Sequence, residues 1–439
     1  MRHPAQFITA GFATAIAAGT ALLMLPVAKA GPGGATAVEA VFTATSAVCV
    51  TGLTVVDTET FWTPFGQAVI LGLIQVGGFG IMSFASLLGV LLARRLGLRS
   101  RMAVAAESRA GAFGDVRRVL LGVVRISLIT EVATAAVLTV RFASGYGYEP
   151  GRALWLGVFH AVSAFNNAGF GLFSDNLIRF VDDPWLTLPI AAAVIIGGLG
   201  FPVLFELRRE FRKPLHWSMN TNLVLAGTAV LLVFGTVFIT ALEWNNPGTL
   251  GPLSAPEKIQ AGFFQSAMTR TAGFNSVDIG QMHPATWLGM DLLMFIGGGP
   301  AGTAGGVKIT TVGVLFFILL TEIRGGVAVN IFGKRLSRAV HRQAITVVLL
   351  SAALVIAATM TLMLSTNHSL DRVLFEVISA FATVGLSTGI TAELPPPDQL
   401  MLAVIMFVGR LGSITLATAL ALRPRPLMYE LPKERPLIG

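Results

Sequence analysis

Hydrophobic residues occur along this chain in long runs that are separated by short polar or glycine-rich breaks. Eight runs have at least the roughly 20 residues that a helix needs to cross a bilayer. They form four pairs, and a half-length apolar run lies inside each pair. The predicted first spans are 5–27, 117–142, 219–243 and 338–365, and the second spans are 63–93, 183–207, 285–320 and 398–422.

The half-length runs end in one repeated motif. A Phe stands ten residues before a Gly, and a Leu or Phe follows that Gly. Four copies in one chain favour a fourfold arrangement around a central axis. The copies are FTATSAVCVTGL at 42–53, FHAVSAFNNAGF at 159–170, FFQSAMTRTAGF at 263–274 and FEVISAFATVGL at 375–386. The corresponding repeats are predicted to occupy residues 1–100, 101–213, 214–330 and 331–439.

Composition supports a membrane protein. The 439 residues are 54% hydrophobic and only 12% charged, which is too little charge to cover a soluble protein of this size. We therefore predict an all-α polytopic membrane protein. Its eight transmembrane helices would form four pseudo-symmetric repeats of span, pore helix, filter and span around a central pore. The single Cys49 excludes an intrachain disulfide framework.

The distribution of Lys and Arg predicts the orientation. Segments 94–118, 208–213, 324–342 and 423–435 carry 7, 4, 5 and 4 of these residues. Cytoplasmic loops of membrane proteins are rich in Lys and Arg, so both termini are predicted to be cytoplasmic and the half-length helices external. This placement accounts for the net charge of +8 without a nucleic-acid partner.

The four turns after the half-length helices are the candidate ion filter. Non-helical backbone is tolerated at membrane depth only inside protein or along a water-filled path. Glycine permits unusual backbone angles, and four such turns would offer rings of carbonyl oxygens that replace an ion's hydration shell. Ordinary tight turns are the alternative, and four copies in register disfavour it. The predicted filter residues are Val50, Thr51, Gly52, Asn167, Ala168, Gly169, Thr271, Ala272, Gly273, Thr383, Val384 and Gly385.

Acidic residues follow three of the four turns. Asp57, Asp175 and Asp278 stand five or six residues after their glycines, and the fourth turn has no acid at that offset. Together they would form a negative outer mouth that concentrates cations. The alternative is that they are solvated loop residues.

Glycine clusters form a second landmark, because one begins in each second span 24 to 28 residues after the filter glycine. Small residues there would allow helices to approach closely, and packing alone is one interpretation. The third cluster, GGGPAGTAGG, cannot form a stable continuous helix. We predict a helix, a flexible break that acts as a gate on the cytoplasmic side of the filter, and a second helix. The predicted gate residues are Gly297, Gly298, Gly299, Pro300, Gly302, Thr303, Gly305, Gly306 and Arg410.

Two cationic residues lie close to this gate in the prediction. Arg410 is inside an apolar span, so it should face the bundle interior. It would hydrogen-bond carbonyls of the loop, present a positive barrier to cations, or be satisfied by helix-end carbonyls. Lys308 is weaker evidence, because it could extend towards the cytoplasmic face. A phosphate-binding glycine loop is disfavoured, since Ile309 follows Lys308 where that motif needs Ser or Thr.

These residues resemble the Trk/Ktr/HKT superfamily of potassium transporters over nearly the whole chain. VCVTGL, NNAGF, TRTAGFNS and ATVGL are similar to its four filter segments, and 297–306 is similar to its intramembrane gating loop. Arg410 matches the arginine that the family sets against that loop. The chain starts directly with repeat one, so it looks most like the Ktr-type membrane subunit. Glycine at all four filter positions implies potassium rather than sodium.

The resemblance implies partners and a location. The family is typically a homodimer with one pore in each protomer, bound to a cytoplasmic ring of RCK-type regulatory subunits that bind ATP, ADP or NAD(H). Potassium is the transported ion, and sodium commonly stimulates uptake. A bacterial cytoplasmic membrane is expected. The basic segments 94–118 and 324–342 are the expected docking surface, or serve topology and anionic lipid alone.

Two other function classes were compared with this hypothesis. A proton- or sodium-coupled secondary transporter would need intramembrane carboxylates and inverted repeats, whereas these repeats run in one direction and acids deep in the spans are few. An intramembrane enzyme would need a nucleophile–base pair or metal ligands at membrane depth, and the sequence suggests none. The sequence leaves open whether flux is channel-like or sodium-coupled, and which nucleotide regulates it.

Overall fold

The structure is a computed structural model that describes residues 4–95, 116–326 and 328–421. These residues contain 15 α-helices and one antiparallel two-stranded hairpin. The hairpin strands are β1 (Asn330–Ile331) and β2 (Lys334–Arg335). The basic segments 94–118 and 423–435 lie largely or wholly outside the described residues.

The helices are α1 (Pro4–Leu23), α2 (Ala37–Val48), α3 (Thr58–Phe61), α4 (Pro64–Arg95), α5 (Val116–Tyr146), α6 (Pro150–Phe165), α7 (Pro184–Leu199), α8 (Phe201–Glu210), α9 (Met219–Glu243), α10 (Ala255–Met268), α11 (Pro284–Phe295), α12 (Ile309–Ile323), α13 (Arg338–Ser365), α14 (Leu370–Ala382) and α15 (Pro396–Ala421). Short 3₁₀ turns occur at Ile178–Phe180, Pro214–His216, Ile279–Gln281 and Thr391–Glu393.

Three described helices are long and apolar enough to cross a membrane, namely Val119–Tyr146, Met219–Glu243 and Ala339–Ser365. Their outer faces carry large exposed apolar side chains such as Val132, which is 65% exposed, and Leu364, which is 90% exposed. Apolar surface on this scale is typical of a protein in contact with lipid. The count of eight spans stays a prediction, because three described helices pass this test, or four if the bent pair Pro184–Leu199 and Phe201–Glu210 is one span.

The four half-length helices α2, α6, α10 and α14 lie at the centre of the molecule. Their last two turns are buried, and each helix ends just before a predicted filter turn. Two of them begin with a capping box, in which Thr36 pairs with Glu39 and Ser254 pairs with Glu257. These side chains satisfy backbone N–H groups that the first helical turn leaves free. The sequence therefore defines the start of these short helices as well as their ends.

The predicted second span of repeat two, 183–207, is not one straight helix. Its two halves, α7 and α8, meet at Gly200 and are bent by 98°. Gly200 has a φ of +89°, and a Cβ atom there would overlap the carbonyl oxygen of Pro300. The Phe201 N–H also donates to the Ala301 carbonyl at 3.3 Å. The sequence analysis placed a span at 183–207 but did not predict this bend, which depends on a contact with a segment 100 residues away.

The third second-span is also interrupted, where its glycine content predicts a break. Helix α11 ends at Phe295 and α12 begins at Ile309. Residues 296–308, here called the gate loop, connect them without helical structure. A parallel bridge between Ile296 and Val307 brings the two ends of the loop together.

Glycines in the other second spans let those helices touch the half-length helices. A Cβ atom on Gly77, Gly197 or Gly409 would overlap a backbone carbonyl oxygen of the half-length helix in the same repeat. The oxygens concerned belong to Val48, Phe165 and Phe381, the residues four before Gly52, Gly169 and Gly385. This close approach supports the packing interpretation of these glycines.

Gly77→Ala is therefore expected to destabilise the protein. The added methyl group has no space beside the Val48 carbonyl, and overpacking of this kind costs about 1–3 kcal/mol. Gly72→Ala is the matched control, because Gly72 lies in the same helix with no atom near its Cβ position. Thermal unfolding in detergent should show a lower midpoint for Gly77→Ala and an unchanged or higher midpoint for Gly72→Ala. Equal midpoints would contradict the packing role.

Candidate functional site

The four predicted filter turns share one backbone conformation. In each turn the glycine and the residue two positions before it have positive φ angles. A residue other than glycine in this region costs about 1–3 kcal/mol and persists only where its surroundings hold it. The angles are +55° and +93° for Val50 and Gly52, +59° and +70° for Asn167 and Gly169, +69° and +69° for Thr271 and Gly273, and +51° and +95° for Thr383 and Gly385.

The four glycines contact one another in a closed ring that follows chain order. A Cβ atom on Gly52 would overlap the Ala168 carbonyl oxygen, and one on Gly169 would overlap the Ala272 oxygen. Likewise, a Cβ atom on Gly273 would overlap the Val384 carbonyl oxygen. One on Gly385 would overlap the Thr51 carbonyl oxygen, which closes the ring. Each glycine thus lies against the carbonyl group of the residue before the next glycine. No side chain larger than hydrogen fits at any of the four positions.

Serine side chains hold two of these turns. The Gly52 N–H donates to Ser46 Oγ at 3.1 Å, and the Gly385 N–H donates to Ser379 Oγ at 3.0 Å. Ser163 has the same position in repeat two, but its hydroxyl has no partner among the described residues. The sequence analysis did not identify these serines. The signal was present, because a Ser-Ala pair stands six and five residues before the glycine in three copies of the motif.

A second support group differs in residue type between repeats. His160 and Glu376 both stand nine residues before their glycine. His160 Nε2 accepts from the Leu172 N–H at 3.3 Å, and the Glu376 carboxylate accepts from the Thr388 N–H at 2.8 Å. Both donors lie three residues after the glycine. The sequence analysis missed Glu376, because an imidazole and a carboxylate do not look equivalent in sequence.

The predicted gate residues 297–306 all lie in the gate loop, and most of them are buried. The loop contacts its own two ends and repeat two. The Gly297 N–H donates to the Val307 carbonyl at 2.9 Å. The Gly299 N–H donates to the Gly198 carbonyl at 2.8 Å. The loop is therefore packed against the end of α7, just before the bend at Gly200.

Two buried or half-buried cationic groups donate to carbonyl groups of the loop. Arg410 is 2% exposed, and its Nη1 donates to the Thr303 carbonyl. Its Nε and Nη2 have no partner among the described residues. Lys308 Nζ donates to the Ala304 carbonyl at 2.6 Å, so the Lys308 side chain contacts the loop to which it belongs rather than extending away from it. The sequence analysis undervalued Lys308, because its distance from the loop carbonyls depends on the fold of the loop.

The gate loop also lies against the filter turns. The Asn167 side-chain amide is 2.7 Å from Thr303 Oγ1. A Cβ atom on Gly305 would overlap Thr383 Oγ1 and lie 2.6 Å from the Ala382 carbonyl oxygen. The predicted filter and the predicted gate are thus in direct contact.

The three acids of the predicted outer mouth have local structural partners. Asp57 Oδ1 accepts from the Glu59 N–H at 2.9 Å, and Asp278 Oδ1 accepts from the Gly280 N–H at 2.9 Å. Asp175 forms an ion pair with Arg179 at 2.7 Å, and the hydrogen bond to this carboxylate raises the pKa of Arg179. The ion pair offsets one of the three negative charges. The function of these acids as an outer mouth stays a prediction.

Several carboxylates are buried deeper in the helices than the sequence analysis expected. Glu131 accepts from Gln75 Nε2 at 3.1 Å and from Asn166 Nδ2 at 3.4 Å. Glu243 accepts from the His283 N–H at 2.9 Å. Asp291 on α11 is 4% exposed, and its Oδ1 has no partner among the described residues. Asp291 and Asp398 are therefore the two buried acids that the described structure leaves with an unpartnered carboxylate oxygen.

Comparison with known proteins gives consistent results over nearly the whole chain. The family model "TrkH: Cation transport protein" matches residues 2–430. The chain is 40% identical over 418 residues to the Ktr system potassium uptake protein B of Bacillus subtilis, covering 95% of this chain and 93% of that protein. It is 40% identical over 424 residues to the Vibrio alginolyticus protein of the same name, covering 95% and 91%.

Two further matches widen the comparison. The potassium/sodium uptake protein NtpJ of Enterococcus hirae is 32% identical over 442 residues, covering 99% of this chain and 97% of that protein. The crystal structure of the potassium transporter TrkH from Vibrio parahaemolyticus superposes with a TM-score of 0.73, covering 97% of this chain and 85% of that chain. Its sequence identity is 17%, so this likeness concerns the fold.

Ser379→Ala should lower the thermal unfolding midpoint. It leaves the buried N–H of Gly385 without its acceptor, and an unsatisfied buried donor costs about 1–3 kcal/mol. Ser163→Ala is the control, since the same substitution at the equivalent position removes a hydroxyl without a described partner. The midpoint of this control should not fall. If both variants unfold at the temperature of the parent protein, the serine does not hold the turn.

Proposed function

The chain belongs to the TrkH family of cation transport proteins, and we propose that it takes up potassium through a filter formed by its four glycine turns. Three similar proteins are named potassium uptake proteins or potassium/sodium uptake proteins. Family membership also sets aside the intramembrane enzyme considered above. The transported ion is K⁺, and the chain carries no covalent cofactor in this proposal.

The closed ring of glycine contacts carries the proposal. Around this ring each glycine meets the carbonyl group of the neighbouring turn, and the residues concerned are fully buried. Backbone carbonyl oxygens can replace the hydration shell of a potassium ion. The absence of side-chain space at all four positions supports a narrow path lined by backbone. The strained φ angles are consistent with a site that is held for a ligand.

The gate loop is proposed to close this path on the cytoplasmic side. It contacts the filter turns of repeats two and four and is held there by Arg410, while Lys308 donates to the Ala304 carbonyl within the loop itself. Glycine content gives the loop the backbone freedom that a moving segment needs. In the orientation proposed from Lys and Arg placement, both termini are cytoplasmic and the half-length helices face the outside of a bacterial cytoplasmic membrane.

Assembly and regulation follow the family proposal. The chain is proposed to form a homodimer with one pore in each protomer, and to bind a cytoplasmic RCK-type regulatory subunit that senses ATP, ADP or NAD(H). The hairpin β1–β2, within the basic segment 324–342, offers a docking surface with exposed Lys334, Arg335 and Phe332. Sodium stimulation of uptake would fit the name of the Enterococcus hirae relative.

A proton- or sodium-coupled secondary transporter is the second candidate. Asp291 favours it, because a buried carboxylate without a partner is the kind of group that binds a coupling ion. Such a transporter would accumulate potassium against its gradient when only a sodium or proton gradient is imposed. A filter and gate without coupling would carry potassium down its own gradient only.

Gly385→Ser is expected to weaken potassium selectivity. The serine side chain would displace the Thr51 carbonyl and would strain a backbone with φ +95°. Because that strain is about 1–3 kcal/mol, the preference for K⁺ over Na⁺ should fall about tenfold. Uptake of K⁺, Rb⁺ and Na⁺ into liposomes that contain the purified chain, alone and with the regulatory subunit, measures this preference.

Gly389→Ser is the matched control for this experiment. Gly389 has a φ of +97°, but no atom lies near its Cβ position and it stands outside the ring. Its variant should keep the selectivity of the parent. Equal uptake of the three cations by the parent, or a Gly385→Ser variant that selects like the parent, would refute the filter.

Arg410→Ala, or a deletion within 299–305, is expected to raise potassium flux several-fold. Either change removes the arginine contact with the Thr303 carbonyl or shortens the loop that it holds. Arg410→Lys separates two mechanisms, because it keeps the positive charge but shortens the reach. High flux in Arg410→Lys would indicate that the hydrogen bond closes the gate, and low flux would indicate that the charge does. Parent-like flux in a folded Arg410→Ala variant would count against the gate.

A further inference from the structure

One side chain in each of two filter turns faces the gate loop. The residues are Asn167 and Thr383, and both stand two positions before their filter glycine. Asn167 contacts Thr303, and Thr383 Oγ1 lies against Gly305. Because the ring follows chain order, repeats two and four are opposite each other across it. The loop of repeat three is therefore held between two opposite filter turns.

The backbone and side chain of Asn167 are also constrained by burial and by further polar neighbours. The residue is 1% exposed and has a φ of +59°. With its amide oriented so that Nδ2 faces the loop, Nδ2 is 2.7 Å from Thr303 Oγ1, 3.2 Å from the Val194 carbonyl and 3.3 Å from the Phe165 carbonyl. The amide thus joins the filter turn to both the gate loop and α7. A buried amide that loses a partner has no water to replace it.

Thr303 connects the loop to three other elements. Its N–H donates to the Gly197 carbonyl at 3.1 Å, and its carbonyl accepts from Arg410 on α15. Its hydroxyl is the group that contacts Asn167. Thr303 is 1% exposed, so these contacts are shielded from solvent. The arginine that holds the loop therefore acts on the residue that holds the filter turn.

We propose that the contact between Asn167 and Thr303 makes Asn167 a specificity-determining residue whose position depends on the gate loop. When the loop occupies the place seen here, the contact holds the filter turn of repeat two in its selective geometry. When the loop leaves, the turn loses this support and the filter discriminates less between cations. Opening of the gate and ion selectivity are then coupled through one hydrogen bond. This inference rests on the proposed function as a potassium filter.

Thr303→Val tests the coupling, because valine keeps the shape of threonine but lacks the hydroxyl. The substitution lies outside the filter ring and leaves both backbone contacts of Thr303 in place. We expect the K⁺ over Na⁺ binding preference to fall about two- to tenfold, the range for loss of one hydrogen bond. The measurement is the thermal unfolding midpoint of the purified full-length chain during K⁺ and Na⁺ titrations, which gives the two dissociation constants without ion flux.

Controls separate a specific effect from general disturbance. Thr303→Ser keeps the hydroxyl and should restore the preference of the parent. Thr310→Val makes the same substitution just outside the loop, in the first turn of α12, and should leave the preference unchanged. Asn167→Ala and the double variant complete a double-mutant cycle. If the two residues act through one contact, the double variant should select no worse than Asn167→Ala alone.

Each outcome decides between the two proposals. A parent that prefers K⁺ together with a Thr303→Val variant of the same preference overturns the coupling and leaves the filter standing. Single effects that multiply in the double variant also overturn it. A parent that binds K⁺ and Na⁺ equally overturns the proposed filter, and the coupling with it. A lower preference in Thr303→Val that Thr303→Ser restores, without a further loss in the double variant, supports the coupling.

Discussion

The structure depends on bringing four backbone turns together at a point where no side chain fits. Gly52, Gly169, Gly273 and Gly385 each lie against a carbonyl group of the next turn, so every turn limits the position of its neighbours. A ring of this kind cannot be held by side chains within it. The surrounding helices must therefore fix the turns from behind, and buried hydrogen bonds from these helices to the turns serve that purpose.

Different residues supply this support in different repeats. Ser46 and Ser379 hold the glycine N–H groups of repeats one and four, whereas His160 and Glu376 hold the segment after the glycine in repeats two and four. What is common is the position of the acceptor relative to the glycine, not its chemistry. An imidazole, a carboxylate and a hydroxyl can all accept a hydrogen bond from a buried N–H, which cannot remain unpaired without cost.

This difference explains how far the sequence could lead. The spacing of Phe and Gly located all four turns, and the glycine-rich segment 297–306 located the loop, because backbone requirements leave a residue-specific trace. Glu376 was missed because its equivalent in repeat two is a histidine. The bend at Gly200 was missed because it depends on Pro300 and Ala301, which are distant in sequence. Local constraints on the backbone are readable from one sequence, whereas contacts between repeats are not.

Repeat three departs from the common packing of the second-span glycines, and this difference explains the position of the gate loop. In the other repeats the first glycine of the second-span glycine cluster packs against the carbonyl at the end of the half-length helix. In repeat three, Gly297 packs against the Gly305 carbonyl of its own loop instead. The loop thus lies beside the filter where α4 and α15 continue as helices in repeats one and four, and α7 ends at Leu199 where the loop lies against it. One interrupted helix therefore accounts for both irregular features of the fold, the loop itself and the 98° bend in its neighbour.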